Sequence, residues 1–262
     1  MRILSGLQPS GRLHIGNYFG MMQSAIHLQE EGDAYYFIAD YHSLTSIHDG
    51  KLLRSHVRDL AIDFLACGLD PAKCVFFRQS DVPEHCELSW ILSTVTPMGL
   101  LERCHSYKDK VANGIKPSHG LFAYPVLMAA DILIYNSDVV PVGRDQLPHI
   151  EQTRVVARRF NDKYGQTFPE PGALLSEAPL ILGTDGTKMS KSKGNVVELR
   201  MSADETAKKI KGAKTDSDRV ITYDPQNRPE VANLLKLISL CEGVEPEVVA
   251  AEIGDGGGGG LK

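Results

Sequence analysis

Short apolar runs, typical of buried strands, alternate along the first part of this chain with longer amphipathic stretches. The runs predict strands at 1–7, 34–39, 74–78 and 139–142, and the stretches predict helices at 16–31, 51–67, 89–95, 122–135 and 147–164, the third and fourth of them buried. A continuous apolar run such as AYYFIA at 34–39 is what a parallel strand covered on both faces shows. The alternation predicts an α/β fold with a Rossmann-like, doubly wound parallel sheet. Such sheets bind ligands at the carboxyl ends of their strands, so we expect functional residues after the strands at 1–7, 34–39 and 139–142.

The composition changes near Thr184, which indicates a second region. The segment GTDGTKMSKSKGN at 183–195 is polar, basic and interrupted by glycines, which is typical of a mobile loop. Ser202 to Glu205 form a capping box that begins a helix, and 230–241 predict another. Five glycines at 256–260 predict a flexible linker to further chain. We predict a catalytic domain at 1–187 and, at 188–262, a loop followed by a partial α-helical domain.

Charge and cysteine content exclude several classes of protein. The chain has 28 basic and 33 acidic residues, so any contact with nucleic acid must use a local patch. Its five cysteines are odd in number and form no C-x-x-C pair, which predicts neither a disulfide framework nor a structural zinc site. The N-terminus lacks the apolar segment of a secretory signal, and the apolar stretch at 122–135 is too interrupted to span a bilayer. We expect a cytoplasmic protein without a membrane partner.

A glycine-rich turn follows the first predicted strand, in the segment QPSGRLHIGN at 8–17. The start of a helix beside bare glycine backbone offers N–H groups to an anion, and His14 and Asn17 add donors for a phosphate. The alternative is a tight strand-to-helix turn with a surface histidine.

A second candidate phosphate site is KMSKS at 188–192. Lys188 and Lys191, with hydroxyls between them, suit a polyphosphate whose charge changes as it leaves. Alone, such a run also fits a solvated loop. Its occurrence after the glycine-rich turn, in that order, is more informative than either segment by itself.

Together the two segments resemble the signatures of class I aminoacyl-tRNA synthetases. GLQPSG at 6–11 running into HIGNY at 14–18, YPVLMAADILIY at 124–135 and VPVGRDQ at 140–146 are similar to the tryptophanyl-tRNA synthetases of bacteria. The resemblance covers about residues 2–240. It implies activation of L-tryptophan with ATP to tryptophanyl-adenylate and pyrophosphate, then transfer of tryptophan to its tRNA. It also implies that the helical domain is part of an anticodon-binding region.

The resemblance implies which residues bind ATP and act on its phosphates. The ATP-binding residues are Gln8, Pro9, Ser10, Gly16, Asn17, Gly143, Arg144, Asp145, Leu180, Lys188, Met189, Ser190, Lys191 and Ser192, and many bacterial members carry an acid in place of Arg144. The catalytic residues are His14, Lys110, Lys188, Ser190 and Lys191. Mg²⁺ would enter on the phosphates of ATP, with few or no protein ligands.

The resemblance also implies a tryptophan site. Asp131 would hold the indole N–H, Tyr124 and Gln146 the amino-acid end, and the walls would be Leu4, His42, Met128, Val140 and Val142. The residues themselves agree at Asp131, because a carboxylate in the apolar helix LMAADILI needs a donor. The alternatives are an internal hydrogen bond or salt bridge for Asp131, a turn role for His42, and core or loop packing for Met128 and Met189.

The segment CELSWILSTVTPMGLL at 86–101 is apolar on more faces than one core-facing helix needs. With the resemblance it predicts a homodimer whose interface lies on the α/β domain, and the alternative is a helix wholly inside the monomer core. Two other functions stay open: a tyrosyl enzyme with similar signatures, and a catalytically silent synthetase-like binding protein. Pyrophosphate exchange that depends on the amino acid discriminates among them.

Overall fold

The computed structural model describes residues 1–104, 114, 116–143, 146–175, 181–190 and 193–262. Its described strands form one five-stranded sheet in the order β3-β2-β1-β4-β5, and every neighbouring pair is parallel. The strands are β1 Arg2–Leu7, β2 Asp33–Ile38, β3 Cys74–Arg78, β4 Val139–Val142 and β5 Gly172–Leu175. The α/β class with a parallel sheet is therefore confirmed.

Helices connect the strands and make up most of the C-terminal part. The longer ones are Gly50–Ala66, Glu84–Ser93, His119–Leu133, Leu147–Tyr164, Ala203–Lys211, Pro229–Glu242 and Pro246–Ile253. Shorter helical segments are Ile15–Asn17, Gln23–His27, Asp40–Ser43, Met98–Glu102 and Gly257–Leu261, with a π-helical turn at Tyr18–Met22 and 3₁₀ turns at Leu28–Glu30 and Gln79–Asp81. The helix predicted at 16–31 is thus a series of helical segments of different pitch. No helix among the described residues is both long enough and apolar enough to cross a membrane.

The chain divides into two compact units, which we describe separately. The first comprises Met1–Gly11 and Gln23–Glu177, and the second comprises Arg12–Met22 and Ala178–Lys262. The HIGN segment therefore belongs to the same unit as the KMSKS segment. The functional division at residue 187 stays a prediction.

In the first unit the order of strands reverses beside β1. The chain builds β2 and β3 on one side of β1 and then β4 and β5 on the other, with Ile3 opposite both Ala34 and Val139. Ligands of open α/β sheets bind at this switch point, outside the carboxyl ends of the strands. The residues that follow β1, β2, β3 and β4 are therefore the ones that this fold places for binding.

The second unit has a hydrophobic core of its own. Phe19 from the N-terminal segment packs in one cluster with Met189, Val196 and Leu235. The capping box predicted at Ser202 to Glu205 is confirmed, because the Ser202 side chain accepts from the Glu205 N–H and the Glu205 side chain accepts from the Ser202 N–H.

One prediction about burial is wrong. The helix expected to be buried at 89–95 is Glu84–Ser93, in which Trp90 is 75% exposed and Ile91 46% exposed.

The polyglycine segment is also not the flexible linker that its composition predicts. Gly257–Leu261 is a short helix, Gly257 donates its N–H to the Arg219 carbonyl (2.8 Å), and Leu261 is buried in the core of the second unit. Burial of the Leu261 side chain and backbone hydrogen bonds fix this segment.

Candidate active site

Asp131 lies at the centre of a buried polar cluster in the first unit. It is in the last turn of His119–Leu133, a helix that Ser118 caps by accepting from the Leu121 N–H, and it is 1% exposed. Its Oδ1 accepts from Gln79 Nε2 (2.8 Å) and pairs with His85 Nδ1 (2.7 Å), while its Oδ2 pairs with His42 Nε2 (2.7 Å). The sequence predicts that this carboxylate needs a hydrogen-bond donor, and other side chains of the protein supply it.

The partners of Asp131 come from the carboxyl ends of two neighbouring strands. His42 lies in the short helix after β2, and Gln79 follows β3 directly. The two loops are tied together, because Gln79 Oε1 accepts from the Tyr41 N–H (3.1 Å) and Asp40 accepts from the Ser80 N–H and hydroxyl (3.0 and 2.5 Å). Gln79 therefore has a fixed amide orientation, with its NH₂ toward Asp131.

Two opposing effects set the pKa of Asp131. Burial raises the pKa, but the hydrogen bonds and charges of His42 and His85 outweigh burial and hold it below its ordinary value. The group is therefore a carboxylate at neutral pH. An ionised carboxylate only accepts hydrogen bonds, so both imidazoles donate to it.

The other predicted tryptophan-binding residues lie close to this cluster in the fold. Leu4, Val140, Val142 and Met128 belong to one hydrophobic cluster at β1 and β4. The Tyr124 ring is 6.2 Å from the His42 ring, centroid to centroid, and its hydroxyl is 3.5 Å from His149 Nε2.

Gln146 immediately precedes the helix Leu147–Tyr164 and donates its N–H to the Gly143 carbonyl (3.0 Å). Gly143 itself follows β4. Both residues therefore lie at the carboxyl end of a strand beside the switch point, as the sequence predicts.

In the second unit the HIGN segment is a reciprocal cap. His14 Nδ1 accepts from the Asn17 N–H (3.3 Å), and Asn17 Oδ1 accepts from the His14 N–H (3.1 Å). The Ile15 N–H donates to the Val197 carbonyl (3.0 Å), which joins this turn to the residues after KMSKS. At Gly16 a Cβ would lie 3.2 Å from Met189 Sδ, so glycine permits the two segments to approach closely.

Asn195 fastens the described part of the KMSKS segment. Its side chain is buried, its Oδ1 accepts from the Ser190 N–H (2.8 Å), and its Nδ2 donates to Asp185 Oδ1 (2.8 Å) and to the Lys188 carbonyl (3.2 Å). The hydrogen bonds from Asn195 and Thr187 lower the pKa of Asp185 to about 2. The segment from Asp185 to Ser190 is thus built around one amide.

The remaining predicted residues differ in what the structure says of them. Gln8 and Ser10 are exposed and Pro9 is buried in the turn after β1, where the Ser10 N–H donates to the Gln8 carbonyl (2.9 Å). Lys188 is exposed. Lys110, Arg144, Asp145, Leu180, Lys191 and Ser192 lie outside the described residues. Within the described part of the chain, no group of three or more His, Cys, Asp or Glu side chains is arranged to hold a metal ion.

Sequence reasoning missed Gln79, His85 and Asn195. Gln79 follows a predicted strand at its carboxyl end, and that position is the signal that could have found it. His85 carries no such signal, because six further residues separate it from β3. Asn195 lies at the end of the loop predicted at 183–195, where the sequence gives no signal of its structural role.

A parallel sheet with its switch point beside Asp131, together with the HIGN and KMSKS segments, is the architecture of a class I aminoacyl-tRNA synthetase. The sequence model for "tRNA synthetases class I (W and Y)" matches residues 1–259. The tryptophan–tRNA ligase of Fusobacterium nucleatum is 49% identical over 249 residues, which are 94% of this chain and 75% of that protein. The chain therefore belongs to this family, and within it to the tryptophan–tRNA ligases, which are ATP-dependent.

Solved structures of both tryptophanyl and tyrosyl enzymes are similar to this chain. Tryptophanyl-tRNA synthetase from Campylobacter jejuni, complexed with ADP and tryptophan, superposes with a TM-score of 0.84 at 49% identity, over 92% of this chain and 75% of that one. Tyrosyl-tRNA synthetase from Archaeoglobus fulgidus, complexed with L-tyrosine, gives a TM-score of 0.70 at 25% identity, over 90% of this chain and 69% of that one. Of these two structures, the tyrosyl enzyme is the less similar to this chain.

Proposed function

We propose that Asp131 selects L-tryptophan by accepting the indole N–H on Oδ2. A carboxylate has about four acceptor directions, two on each oxygen. Gln79 and His85 use both directions of Oδ1, and His42 uses one of Oδ2. One direction on Oδ2 has no donor among the described residues. This count is the observation that carries the proposal, because it leaves one acceptor for a ligand with one N–H.

The walls of the site suit the rest of an indole. Leu4, Val140 and Val142 are buried aliphatic side chains, and Met128 adds a polarisable thioether that packs well against an aromatic ring. Tyr124 and Gln146 would hold the α-amino and carboxylate groups.

The reaction has two steps. In the first, a carboxylate oxygen of tryptophan attacks the α-phosphorus of ATP in line, a P–O bond forms, and the bond to the leaving pyrophosphate breaks. No general base is needed, since the carboxylate is ionised at neutral pH. In the second step, a hydroxyl of the terminal ribose of tRNA attacks the activated carbonyl, and AMP leaves.

The protein accelerates the first step by positioning and by stabilising charge. Lys110, Lys188 and Lys191 would balance the charge that moves onto pyrophosphate, with His14 and Ser190 as further donors. The other residues assigned to ATP are Gln8, Pro9, Ser10, Gly16, Asn17, Gly143, Arg144, Asp145, Leu180, Met189 and Ser192. Mg²⁺ enters as part of the ATP substrate.

The partners that we infer are tRNA for tryptophan and a second copy of this chain. Trp90 is 75% exposed and Met98 is 63% exposed, and both belong to the first unit. Large exposed apolar side chains of this kind are typical of an interface between proteins. All five cysteines are free, which is consistent with a cytoplasmic location.

The experiment that tests the assignment of Asp131 is steady-state pyrophosphate exchange with Asp131→Asn. An amide cannot accept on both atoms, so the KM for tryptophan should rise at least about a hundredfold while the KM for ATP stays within about twofold. Asp63→Asn is the matched control, because Asp63 is also a buried helical carboxylate and lies outside the site. An unchanged KM for tryptophan in Asp131→Asn would contradict the proposal.

A further inference from the structure

His85 is the most deeply buried of the partners of Asp131. It is 0% exposed, and aromatic rings surround it, with the centroids of Phe37, Phe77 and Tyr135 at 6.0, 6.1 and 5.5 Å. Both of its ring nitrogens have partners: Nδ1 is 2.7 Å from Asp131 Oδ1, and Nε2 is 2.9 Å from the Tyr135 hydroxyl. A fully buried imidazole with two fixed partners has one orientation.

The chemistry of Asp131 sets which nitrogen of His85 donates to it. Asp131 only accepts, so Nδ1 carries the proton that it donates to Oδ1. Burial raises the pKa of Tyr135, with a further contribution from the charge of Asp131, so its hydroxyl keeps its proton and is a neutral partner of Nε2. The result is a continuous chain of hydrogen bonds that joins Tyr135, His85 and Asp131.

These hydrogen bonds control which oxygen of Asp131 can accept from a ligand. While His85 and Gln79 both donate to Oδ1, that oxygen has no acceptor direction left, and the carboxylate is held from two sides. Without the donor at His85, Oδ1 has a free direction of its own. The carboxylate is then held by Gln79 and His42 alone, and each of its oxygens has one direction left for a ligand.

We propose that His85, oriented by Tyr135, is a specificity-determining positioning residue that fixes Asp131 so that only Oδ2 accepts the N–H of the ligand. His85 does not touch the substrate in this account, and it acts through Asp131. The inference rests on the proposed role of Asp131 as acceptor of the indole N–H.

The test compares two ligands that differ only at that N–H. Tryptophan and its benzothiophene analogue, in which sulfur replaces the N–H, are titrated calorimetrically into the whole chain, and the ratio of their Kd values measures recognition of the N–H. A hydrogen bond to a charged acceptor predicts a preference of about ten- to a hundredfold for tryptophan in the unsubstituted protein. His85→Leu should reduce this preference to within about threefold.

Three variants separate positioning from packing. His85→Asn places an amide N–H where Nδ1 lies, so most of the preference should return. Tyr135→Phe removes the partner of Nε2 and leaves the ring of His85 held at Nδ1 alone, so the preference should fall partway. Phe77→Leu is the matched control. It removes an aromatic ring beside His85 and loosens the packing there, but it leaves every polar partner of Asp131 in place. It should weaken both ligands equally and leave the ratio unchanged.

The outcomes distinguish this inference from the proposed function. If the unsubstituted protein binds both ligands equally, the role of Asp131 is wrong. If that protein prefers tryptophan and His85→Leu, folded by circular dichroism, keeps the full preference, only the role of His85 is overturned. If His85→Leu does not fold, Tyr135→Phe decides: an unchanged ratio there overturns the inference.

Discussion

His42 Nε2 and Asp131 Oδ2 lie 2.7 Å apart and join two segments that are 89 positions apart in the chain. His42 follows β2, and Asp131 lies on the helix that leads into β4, so the pair connects elements from the two sides of β1. A contact of this length between distant segments requires β2 and β4 to be in place on the two sides of β1. The specificity of this site is therefore a property of the tertiary fold.

We expect Asp131 to make the stability of the protein depend on pH in the acid range. Its folded-state pKa is below the ordinary value, so its contribution is fully present above the unfolded pKa of about 3.9 and is lost as the pH falls through the folded pKa. The groups that face it are His42, His85 and Gln79, and the charge of Asp131 also acts on Cys86.

Thermal denaturation at pH 7, 5, 4 and 3 checks this sign. The gap in Tm between the unsubstituted protein and Asp131→Asn should be widest near neutral pH and should narrow below about pH 4. A gap that widens with acid would mean that the folded-state pKa of Asp131 is raised.

Asn195→Ala should loosen the KMSKS segment. The substitution removes the donor to Asp185 and leaves the Ser190 N–H without this acceptor, at a cost of about 2–4 kcal/mol in the free energy of unfolding. The hydrogen bond from Asn195 makes the largest contribution to the low pKa of Asp185. Without it, that pKa should rise from about 2 toward its ordinary value.

Carbon-13 NMR titration of the aspartate carboxyls measures this pKa directly. Asn233→Ala is the matched control, since Asn233 is also a buried asparagine of the second unit but hydrogen-bonds Leu182 instead. An Asp185 pKa that stays near 2 in Asn195→Ala would show that the hydrogen bonds from Thr187 and from the backbone of Asp185 are enough to set it.

The second lysine of KMSKS should act on the transition state more than on binding of ATP. Lys191 lies outside the described residues, so this prediction rests on its place in the signature and on the charge that moves to pyrophosphate. Lys191→Ala should lower kcat for adenylate formation much more than it raises the KM for ATP.

Lys193→Ala makes the same change of charge two positions away. Lys193 donates a hydrogen bond to Thr187 Oγ1 and has no role in the proposed reaction. The kcat of the Lys193→Ala variant should therefore stay within about twofold of that of the unsubstituted protein. If Lys191→Ala changed only the KM for ATP, the segment would be a binding clamp.

The exposed apolar side chains of Trp90 and Met98 should be buried by a second copy of the chain. Met98→Glu should convert a dimer into a species of 28.7 kDa by light scattering at micromolar concentration, because an unpaired charge is costly in an interface. Trp90 is the only tryptophan, so its emission should shift to the red in the variant.

Val220→Glu is the control, since Val220 is 60% exposed and belongs to the second unit. It should leave both the mass and the emission unchanged. A mass near 28.7 kDa for the unsubstituted protein would rule out the homodimer under these conditions.

The sequence predicts four of the five described strands, including β3 at one edge of the sheet, and misses β5 at the other edge. Residues 34–38 of β2 are a continuous apolar run because helices or other chain segments cover both faces of the strand. That pattern can be recognised in the sequence alone. β5 has four residues, begins with Gly172, and leaves Leu174 and Leu175 partly exposed. A short edge strand of this kind has no periodicity to detect.

The site was predictable only as far as single positions carry information. An aspartate in an apolar helix must have a partner, and a histidine after a strand lies at the binding edge of the sheet, so Asp131 and His42 could be named. The hydrogen bonds that join Tyr135, His85 and Asp131 could not be predicted, because they depend on which side chains meet across 46 and 50 positions of sequence. The exposure of Trp90 could not be predicted for the same reason. An apolar helix has the same sequence pattern whether the protein core or a partner covers it.

Amino-acid-dependent exchange of pyrophosphate into ATP measures the activation of tryptophan itself. The assay uses the chain with Mg²⁺–ATP, labelled pyrophosphate, and L-tryptophan or L-tyrosine at equal concentrations. We predict exchange with tryptophan and none above background with tyrosine. Exchange that depends on tyrosine, or no exchange with tryptophan by folded protein, would show that this protein does not activate tryptophan as proposed.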